Sequence, residues 1–286
     1  MNALVRAENL TKKYGRFRAV DNANFEINAG RIVGMVGPNG AGKSTTLKAI
    51  LGLIRYQGDL QVMGRDPRRE RAQMMHDVSY ISDVASLPEW IQVSQLLRLM
   101  EATHPSFDRP KTLDFLSRTD IKMSHRVKQL SRGMKTQLHL AIVMGINARL
   151  LILDEPTLGL DILYRKDFYS QLLNEYFDEQ RTILVTTHQI EEIEHILTDL
   201  LFIAHGKFVL DMPIDEIGTR FIQVRVRKDK IEAARNLRPM FETQEMNEPV
   251  MIFENVARDR LDLLGETRTP HLADLFVACI KGMHHE

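Results

Sequence analysis

The chain has 286 residues, enough to bury one large core with a smaller one beside it. Its 38 Lys and Arg are balanced by 38 Asp and Glu, so no overall field draws it onto nucleic acid or anionic lipid. A single cysteine, Cys279, excludes an internal disulfide framework and a Cys-based zinc cluster, and fits a reducing compartment and a small buried hydrophobe. The opening run reaches Arg6 and Glu8 before an apolar signal core can form, so no targeting segment is expected. No stretch approaches the roughly 20 apolar residues of a membrane span, and a membrane function would need a second chain.

Along the chain, Val5–Asn9 and Ala19–Ile27 alternate polar and apolar residues as half-buried strands do, and Arg31–Val36 follows as a third strand. A glycine-rich segment then leads into a helix near Lys43, with short strands at Gly58–Met63 and Val78–Ile81. Three helical runs follow, Trp90–Thr103, Arg109–Ser117 and Gly133–Ile146, forming a helical insertion at about 84–146. Next come a strand at Leu150–Leu153, a helix at Ile162–Phe177, a strand at Thr182–Thr186 and a helix at Gln189–Leu197. Leu200–Ala204 and Lys207–Asp211 read as a closing hairpin. Strands alternating with helices imply a largely parallel sheet covered on both sides. Beyond residue 212, strands at Phe221–Val226 and Val250–Phe253 and helices at Lys230–Leu237 and Leu272–Lys281 suggest a small α+β accessory domain, 213–286.

Gly37-Pro38-Asn39-Gly40-Ala41-Gly42-Lys43-Ser44 has the spacing of a phosphate-binding loop between a strand and a helix. Gly37, Gly40 and Gly42 let successive N–H groups face one concavity at the positive end of the following helix. Lys43 is placed to reach the β and γ phosphates of a nucleotide, Ser44 to offer a hydroxyl to Mg²⁺, and Thr45 a second hydroxyl to the phosphates. The four apolar residues Leu150–Leu153 end in Asp154 and Glu155, which are expected to hold Mg²⁺ through water and to polarise the attacking water.

With these motifs in place, residues 4–212 resemble the nucleotide-binding subunit of ABC transporters. Leu130-Ser131-Arg132-Gly133-Met134-Lys135 is similar to that family's signature, normally Leu-Ser-Gly-Gly-Gln, which implies that Ser131 and Gly133 bind the γ-phosphate of ATP held by a second copy. A Ser before a helix also serves as an ordinary N-cap. Asp161, in Leu158-Gly159-Leu160-Asp161, resembles the residue that joins the two subunits, His188 the switch histidine, and Tyr14 the aromatic that stacks on adenine. Asp83 stands where the family usually has Gln, with a carboxylate to reach Mg²⁺ through water. The Gly-Met-Lys form of the signature and Pro270–Phe276 resemble a bacterial exporter-type subset.

The resemblance implies an α/β fold: a P-loop NTPase sheet domain, 1–212, with an ABC-type helical insertion and a small C-terminal accessory domain. It implies ATP and Mg²⁺ as ligands, catalysis by Glu155 and His188, a homodimer, a separate integral membrane permease, and a place on the cytoplasmic face of the membrane. Leu87, Trp90, Ile91 and Val93 are candidates to line the permease groove, or equally helix core. The competing reading is an ATPase of the same superfamily acting on nucleic acid or ribosomes. Against it stands the lack of a basic stripe beyond the short cluster Arg65, Arg68, Arg69 and Arg71, so no nucleic acid is expected as a partner.

Overall fold

The computed structural model describes residues 3–82, 87–158, 162–178, 180–245 and 247–282. Strand β1 (Val5–Tyr14) turns through Gly15 into β2 (Phe17–Ile27), followed by β3 (Ile32–Val36), helix α1 (Lys43–Ile50), β4 (Gln57–Val62), the single turn α2 (Arg71–Met74) and β5 (Val78–Ile81). The insertion contributes α3 (Val93–Thr103), α4 (Arg109–Ser117) and α5 (Arg132–Gly145). The chain returns as β6 (Leu150–Asp154), α6 (Ile162–Gln171), β7 (Thr182–Thr187), β8 (Asp199–Ala204) and β9 (Lys207–Pro213).

The main sheet has the order β5-β6-β7-β3-β8-β9, parallel except for the antiparallel edge strand β9. Every residue of β3, β6 and β7 is buried, as continuous apolar runs covered on both faces require. A three-stranded antiparallel sheet, β2-β1-β4, packs beside it. Its apolar face shares one core with α1 and the near face of the main sheet, whose other face packs on the helical insertion.

The last segment runs α7 (Ile217–Arg220), β10 (Phe221–Val226), α8 (Ile231–Asn236), β11 (Phe241–Glu245), β12 (Glu248–Glu254), α9 (Arg258–Asp262), β13 (Gly265–Arg268) and α10 (Leu272–Gly282). From β10 to β13 this is a βαββαβ unit of strand order β11-β12-β10-β13, the ferredoxin-like arrangement, with α8 and α9 over one face. Strands β11 and β13 escape a sequence reading because charged and polar residues interrupt their alternation.

Three elements differ from expectation. Residues 190–196 form two short 3-10 turns in place of a helix, interrupted at Ile193, where φ widens to −118°. Helix α6 stops at Gln171 and continues as a π-turn, Leu172–Tyr176. Helix α10 does not merely cap the accessory sheet: Leu272, Leu275 and Cys279 join the core of the main sheet, and the Phe276 ring meets Phe202 of β8 edge-on at 4.9 Å. Burial there pushes the Cys279 thiol up to about 12, which leaves it protonated and inert at neutral pH.

Because Leu275 is fully buried in the core of the main sheet, Leu275→Ala is expected to cost about 2–5 kcal/mol. Urea unfolding followed by circular dichroism checks it; a midpoint equal to that of the wild-type chain would show that α10 is not part of the main core.

Candidate functional site

The site lies at the carboxyl ends of three adjacent parallel strands, where open α/β sheets place their ligands. Met35 of β3 pairs with Thr186 of β7, and Thr186 pairs with Asp154 of β6, so the three are level across the sheet. One residue past Val36 the chain enters the glycine-rich loop, and the Gly37 N–H extends the ladder by donating to the Thr187 carbonyl at 3.3 Å. A Cβ on Gly37 would lie 2.3 Å from the Ile203 carbonyl oxygen. Gly42 caps α1 at φ +115°, and a Cβ there would lie 2.4 Å from the Ala19 oxygen. Both positions therefore exclude any side chain, and the loop closes against β2 and β8.

Lys43 is almost buried, at 6% exposure, and its ammonium sits inside the loop, 2.6 Å from the Gly37 oxygen and 3.3 Å from that of Pro38. It also pairs with Glu155 Oε1 at 3.1 Å. His188 Nδ1 meets the other carboxylate oxygen of Glu155 at 2.7 Å. Ser44 Oγ donates to Asp154 Oδ1 at 3.2 Å, and the buried Thr186 hydroxyl donates to the same oxygen at 2.6 Å. The Glu155 N–H is held by Thr186 through its carbonyl and its hydroxyl oxygen, both at 3.2 Å. That anchoring supports the left-handed backbone of Glu155, φ +50°, an unfavourable conformation for a residue with a Cβ.

The fold thus brings together Gly37, Pro38, Lys43, Ser44, Asp154, Glu155 and His188, with Asn39, Gly40, Ala41 and Thr45 on the same loop and first helical turn. Tyr14 stands apart on the β1–β2 hairpin, 49% exposed, with the Lys12 ammonium 4.7 Å above its ring. Ser131 and Gly133 also stand apart, at the start of α5: the Ser131 Oγ accepts from the Met134 N–H at 3.2 Å, which leaves its own proton free to donate. No hydrogen bond among the described residues joins Ser131 or Gly133 to the glycine-rich loop. Arg132 ties the same helix start to the Leu158 carbonyl at 2.7 Å. Asp83 and Asp161 lie outside the described residues.

Of the groove candidates, Ile91 and Val93 are core, Leu87 is partly buried, and Trp90 is 70% exposed. The basic cluster is largely internally paired, Arg65 with Asp77 and Arg68 and Arg69 with Asp66. Sequence reasoning missed Thr186, whose signal is a hydroxyl level with Asp154 at the end of an apolar strand.

These features define a nucleotide-phosphate site of the P-loop class. The ABC transporter family model matches residues 20–158. Nod factor export ATP-binding protein I of Cupriavidus metallidurans is 31% identical over 266 residues, covering 88% of this chain and 86% of that protein. The chain therefore belongs to the ABC transporter ATP-binding protein family. The "Probable multidrug ABC transporter ATP-binding protein YbhF" of Escherichia coli is 34% identical over 67% of this chain, which spans only 34% of that longer relative. A solved ATP-binding subunit of an ABC transporter superposes with a TM-score of 0.67 at 24% identity, over 75% of this chain and 91% of that one. Among the described residues no helix is long and apolar enough to cross a membrane.

Thr186→Val leaves the Asp154 carboxylate without its shortest hydrogen bond and the Glu155 N–H with one acceptor fewer. It is expected to cost about 1–3 kcal/mol, and to weaken Mg²⁺-dependent nucleotide binding more than Mg²⁺-free binding. Chemical unfolding and calorimetric titration check the two effects; equal weakening with and without Mg²⁺ would remove Thr186 from the metal side of the site.

Proposed function

We propose that the chain is the MgATP-hydrolysing subunit of an ABC transporter and that two copies close head to tail over two ATP molecules. Their cycle drives a separate integral membrane permease, in the direction of export. In this reading residues 1–212 are the ATPase domain, with the insertion at about 84–146, and 213–286 are the accessory domain. The observation that carries it is the meeting of Lys43, Glu155 and His188 beside the Ser44–Asp154 pair.

The residues present fit Mg²⁺: Ser44 and Asp154 offer a hydroxyl and a carboxylate oxygen 3.2 Å apart, the hard donors that this ion takes beside a phosphate. When bound, the ion neutralises phosphate charge. Lys43 then exchanges its loop carbonyls for the β and γ phosphates, and the N–H groups from Gly37 to Thr45 surround them. Glu155 accepts the proton of the attacking water, while His188 holds the carboxylate and reaches the γ-phosphate. Tyr14 offers adenine the ring face away from Lys12. Ser131 and the Gly133 N–H, remote from their own loop, serve the γ-phosphate of the second copy. Asp161 takes the dimer-joining role and Asp83 the metal-side water. Trp90 is the exposed apolar contact for the permease in this reading, with the subunit on the inner face of the membrane. Export follows from the exporter-type signature and from the similarity to a Nod factor export protein.

Loss of the general base predicts that Glu155→Gln lowers kcat for ATP about 10²- to 10⁴-fold. The variant should keep MgATP affinity and accumulate as an ATP-bound dimer in light scattering. Wild-type turnover in this variant would sink the catalytic assignment. For the transport reading, the tagged chain purified from native membranes should retain a polytopic membrane protein in stoichiometric amount; recovery with ribosomes or DNA would overturn it.

A further inference from the structure

A second polar cluster lies directly behind the Glu155–His188 pair and is not explained by phosphate or metal binding. Thr157, two residues beyond Glu155, is buried, and its hydroxyl donates to Glu192 Oε2 at 3.4 Å. The buried Tyr169 of α6 lies 3.3 Å from the same hydroxyl. Burial pushes the Tyr169 phenol up, so it stays protonated beside Thr157. Arg165, also on α6, contacts the Glu192 carboxylate and donates to Gln189 Oε1 at 2.7 Å. Gln189 is the residue after His188, and its N–H is turned back onto the Thr187 hydroxyl at 2.9 Å.

One carboxylate thus links two loops, the Glu155–Thr157 loop and the His188–Glu192 loop, to the same helix. The Arg165 and Glu192 side chains are each only 23% exposed, so their attraction is less screened than that of a surface pair. The far side of the His188–Glu192 loop is packed as well: Ile190 is buried in the core that Leu272 and Leu275 of α10 enter, and α10 lies against the Ile190–Glu192 turn. A short turn pinned on both sides has little freedom to move independently of the Glu155 loop.

We infer that Glu192 is a positioning residue for hydrolysis, clamping the His188 loop to the Glu155 loop through Arg165 and Thr157. It rests on the reading of Glu155 and His188 as the hydrolytic pair. The clamp touches neither phosphate nor metal, so it acts on the rate and not on binding. Small misplacements of a reacting pair are costly, up to about 100-fold for displacements of about 1 Å.

The test compares Glu192→Gln and Arg165→Lys with the full-length wild-type chain. Both variants should lose kcat about 10- to 100-fold, with KM for ATP and MgATP affinity changed by less than about twofold. The exchanged pair Arg165→Glu with Glu192→Arg should recover part of the lost kcat. Wild-type kcat in Glu192→Gln overturns the clamp. So does a joint loss of kcat, ATP affinity and melting temperature in both single variants, the pattern of a purely structural pair. Glu155→Gln is run alongside to separate the two readings. If it hydrolyses ATP like the wild type, the catalytic pair is misassigned and both fall; if it is dead while Glu192→Gln is active, only the clamp falls.

Discussion

The register of three parallel strands is the constraint on which the site depends. β6, β7 and β3 are buried along their whole length, and their pairing sets Asp154, Thr186 and Met35 at one level. From that level the Asp154 carboxylate, the Thr186 hydroxyl that orients it and the start of the glycine-rich loop all emerge at the same edge. A slip of one residue in β6 would turn Asp154 to the opposite face of the sheet and bury the charge against apolar side chains. Packing on both faces makes such a slip prohibitive, so the hydrophobic core determines the position of the charged groups.

Gly42 and Glu155 both have left-handed backbone, and only Glu155 depends on that ladder. Each is fixed by its neighbours: Gly42 under the Ala19 carbonyl, Glu155 by two bonds to Thr186. The first needs the absence of a side chain. The second keeps its side chain in an unfavourable backbone because two strands, β6 and β7, share the cost. Thr186 serves both carboxylate positions at once, with its hydroxyl proton given to Asp154 and its oxygens accepting from Glu155.

Much of this was legible in the sequence because the chemistry admits few residue types. Only glycine fits at 37 and 42, and only an ammonium on a long stem follows them usefully, so Gly37–Ser44 is readable without a structure. Asp154 and Glu155 stand out because two acids at the end of four apolar residues have nowhere to go but a strand end. Thr186 was hidden, since a β-branched residue in an apolar run is also what any strand prefers. The turns at 190–196 were hidden differently: Ile190, Ile193 and Leu197 have helical spacing, and tertiary packing overrides it. The cross-links of Glu192 and the seating of α10 join residues far apart in sequence, and a single sequence holds no record of which distant partner a carboxylate or a leucine will meet.

In the proposed cycle the charge arrangement also separates binding from hydrolysis. Lys43 is shared by two loop carbonyls and Glu155, and the second oxygen of Glu155 is taken by His188. In the proposed cycle, a phosphate entering the loop draws Lys43 away from Glu155. That step frees one carboxylate oxygen for water but leaves the other on His188. Ser131 and Gly133 of the same copy are not at the loop, so in the dimeric reading the γ-phosphate lacks part of its shell until a second copy arrives. In that cycle, occupancy therefore releases Glu155, whereas closure of two copies completes the phosphate site. On this proposal a subunit built this way would bind ATP alone and hydrolyse it efficiently only when closed on a second copy.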